Sequence, residues 1–201
     1  MNIILNFILY FLIFVIIHSV LAADYIKNKA QRLLGERFRF YRIIYMLISI
    51  PAFAPAFLIW LEYSGSTPPV YSIPHWAYPL IILARVLALG IFAYASYQTD
   101  IFGFTGIKQR HENPILITNG AYGIVRHPLY ASGMLLLITK MEMTQLDLIA
   151  ELLVFIYLII GAYIEERRLV SIFGDEYTRY RQEVSMFIPA KRVKKLISKL
   201  L

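Results

Sequence analysis

Apolar and polar stretches alternate along this chain with the period of a bilayer, not of a soluble domain. Residues 3–23 are apolar apart from Asn6, His18 and Ser19, and a polar, basic stretch follows over 24–42. A second apolar run covers 41–61, with Pro51 and Pro55 four apart on one face, where kinks are expected. A Pro/Ser/Gly loop over 62–76 has Trp60, Tyr63, Tyr71, Trp76 and Tyr78 around it, as at a membrane interface. A third run occupies 78–97 and carries Arg85. After a polar stretch over 98–127 come two more apolar runs, 128–143 and 146–164, separated by only a few polar residues. Spanning a bilayer takes roughly 20 mostly apolar residues. The pattern therefore predicts an all-α integral membrane protein of about five transmembrane helices. Its last two form an antiparallel hairpin, with Ala131, Ser132, Gly133, Gly161 and Ala162 allowing close approach. The expected organisation is a three-helix membrane region over 1–97, a core with the hairpin over 98–190, and a tail over 191–201.

Composition agrees: 59% of the 201 residues are hydrophobic, too many for a water-soluble surface. The first run has no basic segment before it and no small-residue cleavage site after it, so it reads as a retained span. Charge tests the span count. Of twenty Lys and Arg, six lie in 24–42, three in 98–128 and nine in 165–201. Five spans place all three segments on one side, which the positive-inside rule makes cytoplasmic, with the N-terminus outside and the C-terminus inside. The net charge of +7 thus belongs to a membrane surface and not to nucleic acid. In the tail, Val193, Leu196, Ile197, Leu200 and Leu201 follow helical spacing, with Lys191, Lys194, Lys195 and Lys199 elsewhere around it. Such a basic amphipathic helix suits an anionic leaflet.

Soluble-enzyme signatures are missing. The chain has no G-x-G-x-x-G, Walker A loop, H-E-x-x-H or G-x-S-x-G. It has no cysteine, and His111-Glu112 lacks a second His four residues away, so no metal site is expected. Three polar groups remain at the predicted cytoplasmic side. The first is Gly120-Ala121-Tyr122-Gly123-Ile124-Val125-Arg126-His127-Pro128-Leu129-Tyr130, before the fourth run. Arg126 offers a fork for a carboxylate, and His127 can donate, accept or carry a proton. Pro128 suits a helix's first turn, which places His127 at a helix start that favours anions. The second is Glu165-Glu166 at the inner end of the fifth run, two acids costly there unless paired. Glu165 shares a helical face with Leu169 and Phe173 and is expected to point inward. The third is Phe173-Gly174-Asp175-Glu176-Tyr177-x-x-Tyr180-Arg181, with Gly174 ending a helix and a new amphipathic turn after it. An anion-binding helix start, a carboxylate and several aromatics suit a zwitterionic ligand bearing a purine and hydroxyls. S-adenosylmethionine fits that description, as do other nucleotides.

The pattern Gly120-x-Tyr122-x-x-x-Arg126-His127-Pro128-x-Tyr130, then Glu165-Glu166-x-x-Leu169 and Phe173-Gly174-x-Glu176-Tyr177-x-x-Tyr180, resembles the isoprenylcysteine carboxyl methyltransferase superfamily. The ending Phe187-Ile188-Pro189 matches as well, so the resemblance covers roughly residues 98–190. His18-Ser19-Val20-Leu21 and Tyr41-Arg42-x-x-Tyr45 are closer to its NnrU-type and methanethiol S-methyltransferase branches. The resemblance implies a prokaryotic inner-membrane enzyme that binds S-adenosylmethionine and acts on a small or lipophilic acceptor. Carried over by position, the cofactor contacts are Pro114, Ile115, Leu116, Ile117, Tyr122, His127, Pro128, Leu129, Tyr130 and Glu165, with Lys108 or Gln109 as a further polar contact. His127, Arg126 and Glu165 are the candidate catalytic residues, and His18, Tyr45 and Arg85 candidates on the acceptor side. Prenylcysteine enzymes of the superfamily carry an Arg one turn before the cofactor-binding Glu. Here that position is Gly161, which argues against a prenylcysteine substrate. The alternative is a non-catalytic NnrU-like sensor or assembly factor. A small transporter ranks last, since only Arg85 and Glu151 offer charge within the spans.

Overall fold

The computed structural model describes residues 2–99 and 115–200. They divide into two compact units.

The first unit is built on helix α1 (Ile3–Ala22) and helix α3 (Tyr41–Tyr63), which pack along each other. Both are long and apolar enough to cross a bilayer. Aromatic contacts knit them: Phe14 meets Phe53 at 5.0 Å, and the Tyr45 hydroxyl bonds the His18 imidazole. The Tyr41 hydroxyl donates to the Leu21 carbonyl at 2.7 Å, which satisfies an acceptor in the last turn of α1. Helix α3 runs unbroken through Pro51 and Pro55. The basic stretch between them is itself ordered, as helix α2 (Asp24–Leu34) and a 3-10 turn (Gly35–Phe40).

The fold is mostly helical, as expected, and the connection after α3 adds one short strand pairing to it. Strand β1 (Pro69–Ser72) pairs with strand β2 (Glu142–Thr144), which precedes helix α6 (Gln145–Phe173). The backbone of Gln145 donates to Pro68 O, and that of Leu146 to the Thr67 hydroxyl. Thr144 and Asp147 bond reciprocally at the start of α6, as a capping box does, and Trp60 Nε1 donates to Asp147 Oδ1 at 2.8 Å. Two short strands form here because an irregular connection near lipid must still satisfy its backbone.

The second unit contains helix α4 (Tyr78–Gln98), helix α5 (Pro128–Ile138), the later part of α6, helix α7 (Asp175–Glu183) and helix α8 (Ala190–Leu200). Helices α4 and α6 are long and apolar enough to span, which with α1 and α3 gives four such helices among the described residues. The expected fourth run, 128–143, is helical only to Ile138. At about 1.5 Å per residue α5 covers roughly 16 Å, about half a hydrocarbon core. Residues 139–144 continue the path in non-helical backbone, and Ile73 N donates to Met141 O at 2.8 Å. Helix α5 thus runs opposite in direction to α4, along which it packs. Arg85 Nε donates to the Thr139 carbonyl at 2.8 Å, at the C-terminus of α5. A cation satisfying an orphan carbonyl at the negative end of a helix accounts for this intramembrane charge. Arg85 therefore caps α5 in this structure.

Candidate functional site

The stretch before α5 is held from three directions. Gly120 adopts φ +59°, which lets the chain reverse tightly after residues 115–119. Gln98, the last residue of α4, laces that turn: its Oε1 accepts from Ala121 N at 2.9 Å and its Nε2 donates to Asn119 O at 3.3 Å. From the C-terminal side, residues 184–187 lie alongside in a short parallel bridge between Val125 and Ser185. Arg126 N donates to Ser185 O at 2.8 Å and His127 N to Met186 O at 3.1 Å. Pro128 then opens α5, as its fixed φ and missing N–H favour.

His127 is buried at this helix start. Its ring stacks on Tyr130, nearly parallel with centroids 5.5 Å apart, and Phe187 tilts over it at 5.7 Å. The Tyr130 hydroxyl donates to Glu165 Oε2 at 3.0 Å, so the start of α5 meets the end of α6 and the two helices run antiparallel. His127 Nδ1 lies 3.8 Å from Glu165 Oε2, and Nε2 3.3 Å from Glu166 Oε1. Burial pushes the imidazole below the ordinary histidine value, outweighing the pull of Glu165 and Glu166 in the other direction. The ring is therefore neutral near pH 7. The Tyr122 phenol is pushed upward by burial and by the charge of Glu165, against a hydrogen bond from Thr99, so it stays a donor.

The two glutamates divide the work differently from the expectation. Glu166 is the inward one, 4% exposed, while the Glu165 side chain is 42% exposed. Successive helical positions point about 100° apart, and Glu166 falls on the face of the fully buried Ala162, one turn earlier. Helical spacing from Leu169 and Phe173 misassigned that face, and sequence alone missed Glu166 as a site residue. The counter-signal was Ala162, a small residue four positions before it. Glu166 Oε1 accepts from Arg126 Nε and Nη2, both at 2.7 Å, in a pair with less than a tenth of either side chain exposed. Arg126 Nη1 also donates to Arg181 O at 3.1 Å and to Val184 O. The fork expected to bind a ligand carboxylate is thus committed to the protein. Tyr180 donates to Tyr122 O at 2.6 Å, and Tyr177 packs edge-on against Tyr180, fully buried. Burial pushes both phenols up, so they too stay protonated. Gly174, at φ +55°, ends α6 and lets α7 carry these tyrosines back toward Arg126.

A cleft of about 430 Å³ opens beside the ion pair, lined by Arg126, Tyr163, Glu166, Arg167, Arg181 and Met186. Of the sequence-predicted residues, Tyr122, His127, Pro128, Leu129, Tyr130 and Glu165 gather at the start of α5. Ile115, Leu116 and Ile117 form the irregular stretch before Gly120, with Ile115 largely exposed. Pro114, Lys108, Gln109 and His111 lie outside the described residues.

Apolar helices of spanning length, with a buried polar cluster at the start of a short helix, describe a helical membrane protein. A model described as NnrU protein matches residues 6–186, and the chain belongs to that family. Among curated proteins it is 30% identical to a methanethiol S-methyltransferase from a Pseudomonas species over 183 residues, 87% of this chain and 68% of that protein. It is 29% identical to one from Crocosphaera subtropica, over 88% of this chain and 71% of the relative. A protein-S-isoprenylcysteine O-methyltransferase of Schizosaccharomyces pombe is 30% identical over 49% of this chain and 52% of its own length. These names are consistent with the superfamily that the motifs resemble. No solved structure matches significantly.

Proposed function

We propose that this chain is a membrane-embedded, S-adenosylmethionine-dependent methyltransferase acting on a small or lipophilic nucleophile, with a small thiol the first acceptor to test. The observation that carries the reading is the His127–Tyr130 stack closed by the Tyr130–Glu165 hydrogen bond. It sets a part-exposed carboxylate and a neutral imidazole at a helix start whose first N–H groups have no partner within the helix.

The residues present fit the cofactor. The α5 start suits its carboxylate, and Glu165, with spare acceptor capacity, suits its ammonium or ribose hydroxyls. Tyr122, Tyr130 and residues 115–117 offer surface for its purine. When bound, S-adenosylmethionine supplies an electrophilic methyl on a sulfonium. Arg126 is a positioning residue in this scheme: locked on Glu166, it fixes the backbone on either side of His127. His127, kept neutral by burial, accepts the acceptor's proton if the nucleophile arrives as a thiol. Positioning supplies most of the rate enhancement, as reactive geometry can replace much of the entropic barrier.

Two observations favour a small thiol over prenylcysteine. Two relatives named methanethiol S-methyltransferase align over 87% and 88% of the chain, the isoprenylcysteine relative over 49%. And Gly161 stands where prenylcysteine enzymes carry Arg, although a side chain there would meet open space. In this reading the basic segments favour an N-terminus outside and a C-terminus in the cytoplasm of a prokaryotic inner membrane.

Calorimetry on the purified chain, shown to be folded, tests the donor. Binding of S-adenosylmethionine, weakened by Glu165→Gln, is expected; no binding overturns the reading. Methyl transfer from labelled donor into thiols, phospholipids and prenyl thiols then identifies the acceptor. A second reading, a non-catalytic sensor or assembly factor, is favoured by the NnrU match. It predicts donor binding without transfer to any member of that panel.

A further inference from the structure

The second unit carries a surface that the site does not use. Helix α8 presents Val193 and Ile197 half-exposed on one face, next to the exposed Ile188 before it. Lys191, Arg192 and Lys194 are exposed too, and from Val184 to Leu201 the sequence has five basic residues and no acidic one. A helix with an apolar stripe and an unbalanced cationic face matches one surface best, the headgroup region of an anionic bilayer. That surface is within reach, because α8 follows a helix long and apolar enough to span, with only the short α7 between them.

The attachment of α8 is as telling as its surface. Lys191 Nζ donates to the carbonyls of Arg181 (2.8 Å) and Gln182 (2.9 Å), and its backbone N to the Ser185 hydroxyl (3.0 Å). Arg192 Nη1 donates to Gly123 O at 3.1 Å. The first turn of α8 therefore grips both the end of α7 and the turn that leads into Arg126 and His127. Residues 184–187, which pair with 125–127, lie directly before it.

The geometry points to α8 as a lipid-responsive strap, which docks on an anionic bilayer surface and through Lys191 and Arg192 steadies residues 123–127. Docking uses the later lysines and the apolar stripe, while the first turn holds the site. The two halves can be separated by mutation.

The chain has no cysteine, so Ile197→Cys gives one attachment point for an environment-sensitive fluorophore. The labelled full-length protein is placed singly into nanodiscs of phosphatidylcholine alone or mixed with phosphatidylglycerol. Brominated lipid should quench the label in the anionic discs and much less in neutral ones. Each lysine near an anionic surface favours docking by about fivefold. Combining Lys194→Gln, Lys195→Gln and Lys199→Gln should thus lower the docked-to-free ratio on the order of 100-fold, to the neutral-disc level. Equal quenching in both discs, or a label equally shielded in both without quenching, overturns the docking; the latter would mean that α8 packs on protein. The second readout is hydrogen exchange of the His127 amide, which should slow in anionic discs and not in the triple variant. Docking with unchanged exchange overturns the strap.

Discussion

Arg126 and Glu166 meet through one carboxylate oxygen, which takes both Nε and Nη2 at 2.7 Å while the remaining nitrogen serves backbone carbonyls of the C-terminal segment. A single buried pair thereby ties the start of α5 to the end of α6 and to residues 181–184.

Removing one partner of such a pair leaves the other charged and dry. Glu166→Ala should cost about 3–5 kcal/mol of stability, and Glu166→Gln clearly less, since an amide oxygen still accepts. Glu165→Gln, at a half-open position, should change stability little while weakening donor binding. Thermal unfolding in detergent separates the two glutamates. Equal loss at both positions would contradict the division of labour between them.

Burial sets the sign of the pH dependence. The native state holds His127 neutral below the value at which the unfolded chain's histidine protonates, roughly 6.5. Its contribution is complete above that value and is lost as pH falls through it toward the depressed native value, because the unfolded state binds the extra proton. The melting midpoint should fall between pH 7 and 5, and fall less steeply in His127→Gln. A variant with the wild-type slope would assign the effect elsewhere.

Two of the positive-φ glycines, Gly120 and Gly174, differ in what surrounds them. A Cβ at Gly120 would collide with the Gln98 amide, whereas one at Gly174 meets nothing within 4 Å. Gly174→Ala should cost about 1 kcal/mol for its backbone alone. Gly120→Ala should cost about 1 kcal/mol more, as Gln98 gives up its bonds to the turn. Unfolding of both variants under the same conditions is the measurement. Equal costs would show that Gln98 yields freely.

Arg85 stabilises the end of α5, so Arg85→Leu should destabilise by about 1–3 kcal/mol, with Arg85→Lys intermediate. If Arg85 only caps the helix, methyl transfer by folded protein should keep its KM for the acceptor. A raised KM at unchanged stability would return Arg85 to the acceptor side.

Much of this was legible because apolar runs and turn residues are local. Residues 3–23, 41–61 and 78–97 end within two or three positions of the observed helices, and Gly174 closes α6 as its sequence context suggests. The basic segment 24–42 hid a helix, since an amphipathic surface helix has no long apolar run to announce it. The strands β1 and β2 could not be read at all: each is three or four residues long and exists only through its distant partner. The T-x-x-D of Thr144 and Asp147 was a readable capping signal that marks the start of α6. At the site, the motif brought His127, Tyr130 and Glu165 into view together. Glu166 escaped because consecutive acids at a helix end look alike until one finds its arginine in space.

The pairing of residues 125–127 with 184–187 also has a consequence for biosynthesis. Among the described residues, the long apolar helices are all encoded before residue 174 and can enter the membrane as they are made. The backbone partner of His127 is Met186, beyond the last of them. A nascent chain can thus be fully inserted while His127 still lacks its neighbours, Phe187 among them. Insertion and completion of the cluster around His127 are thus separable in the order of synthesis, and a chain cut short before residue 184 is expected to lack the partners of His127.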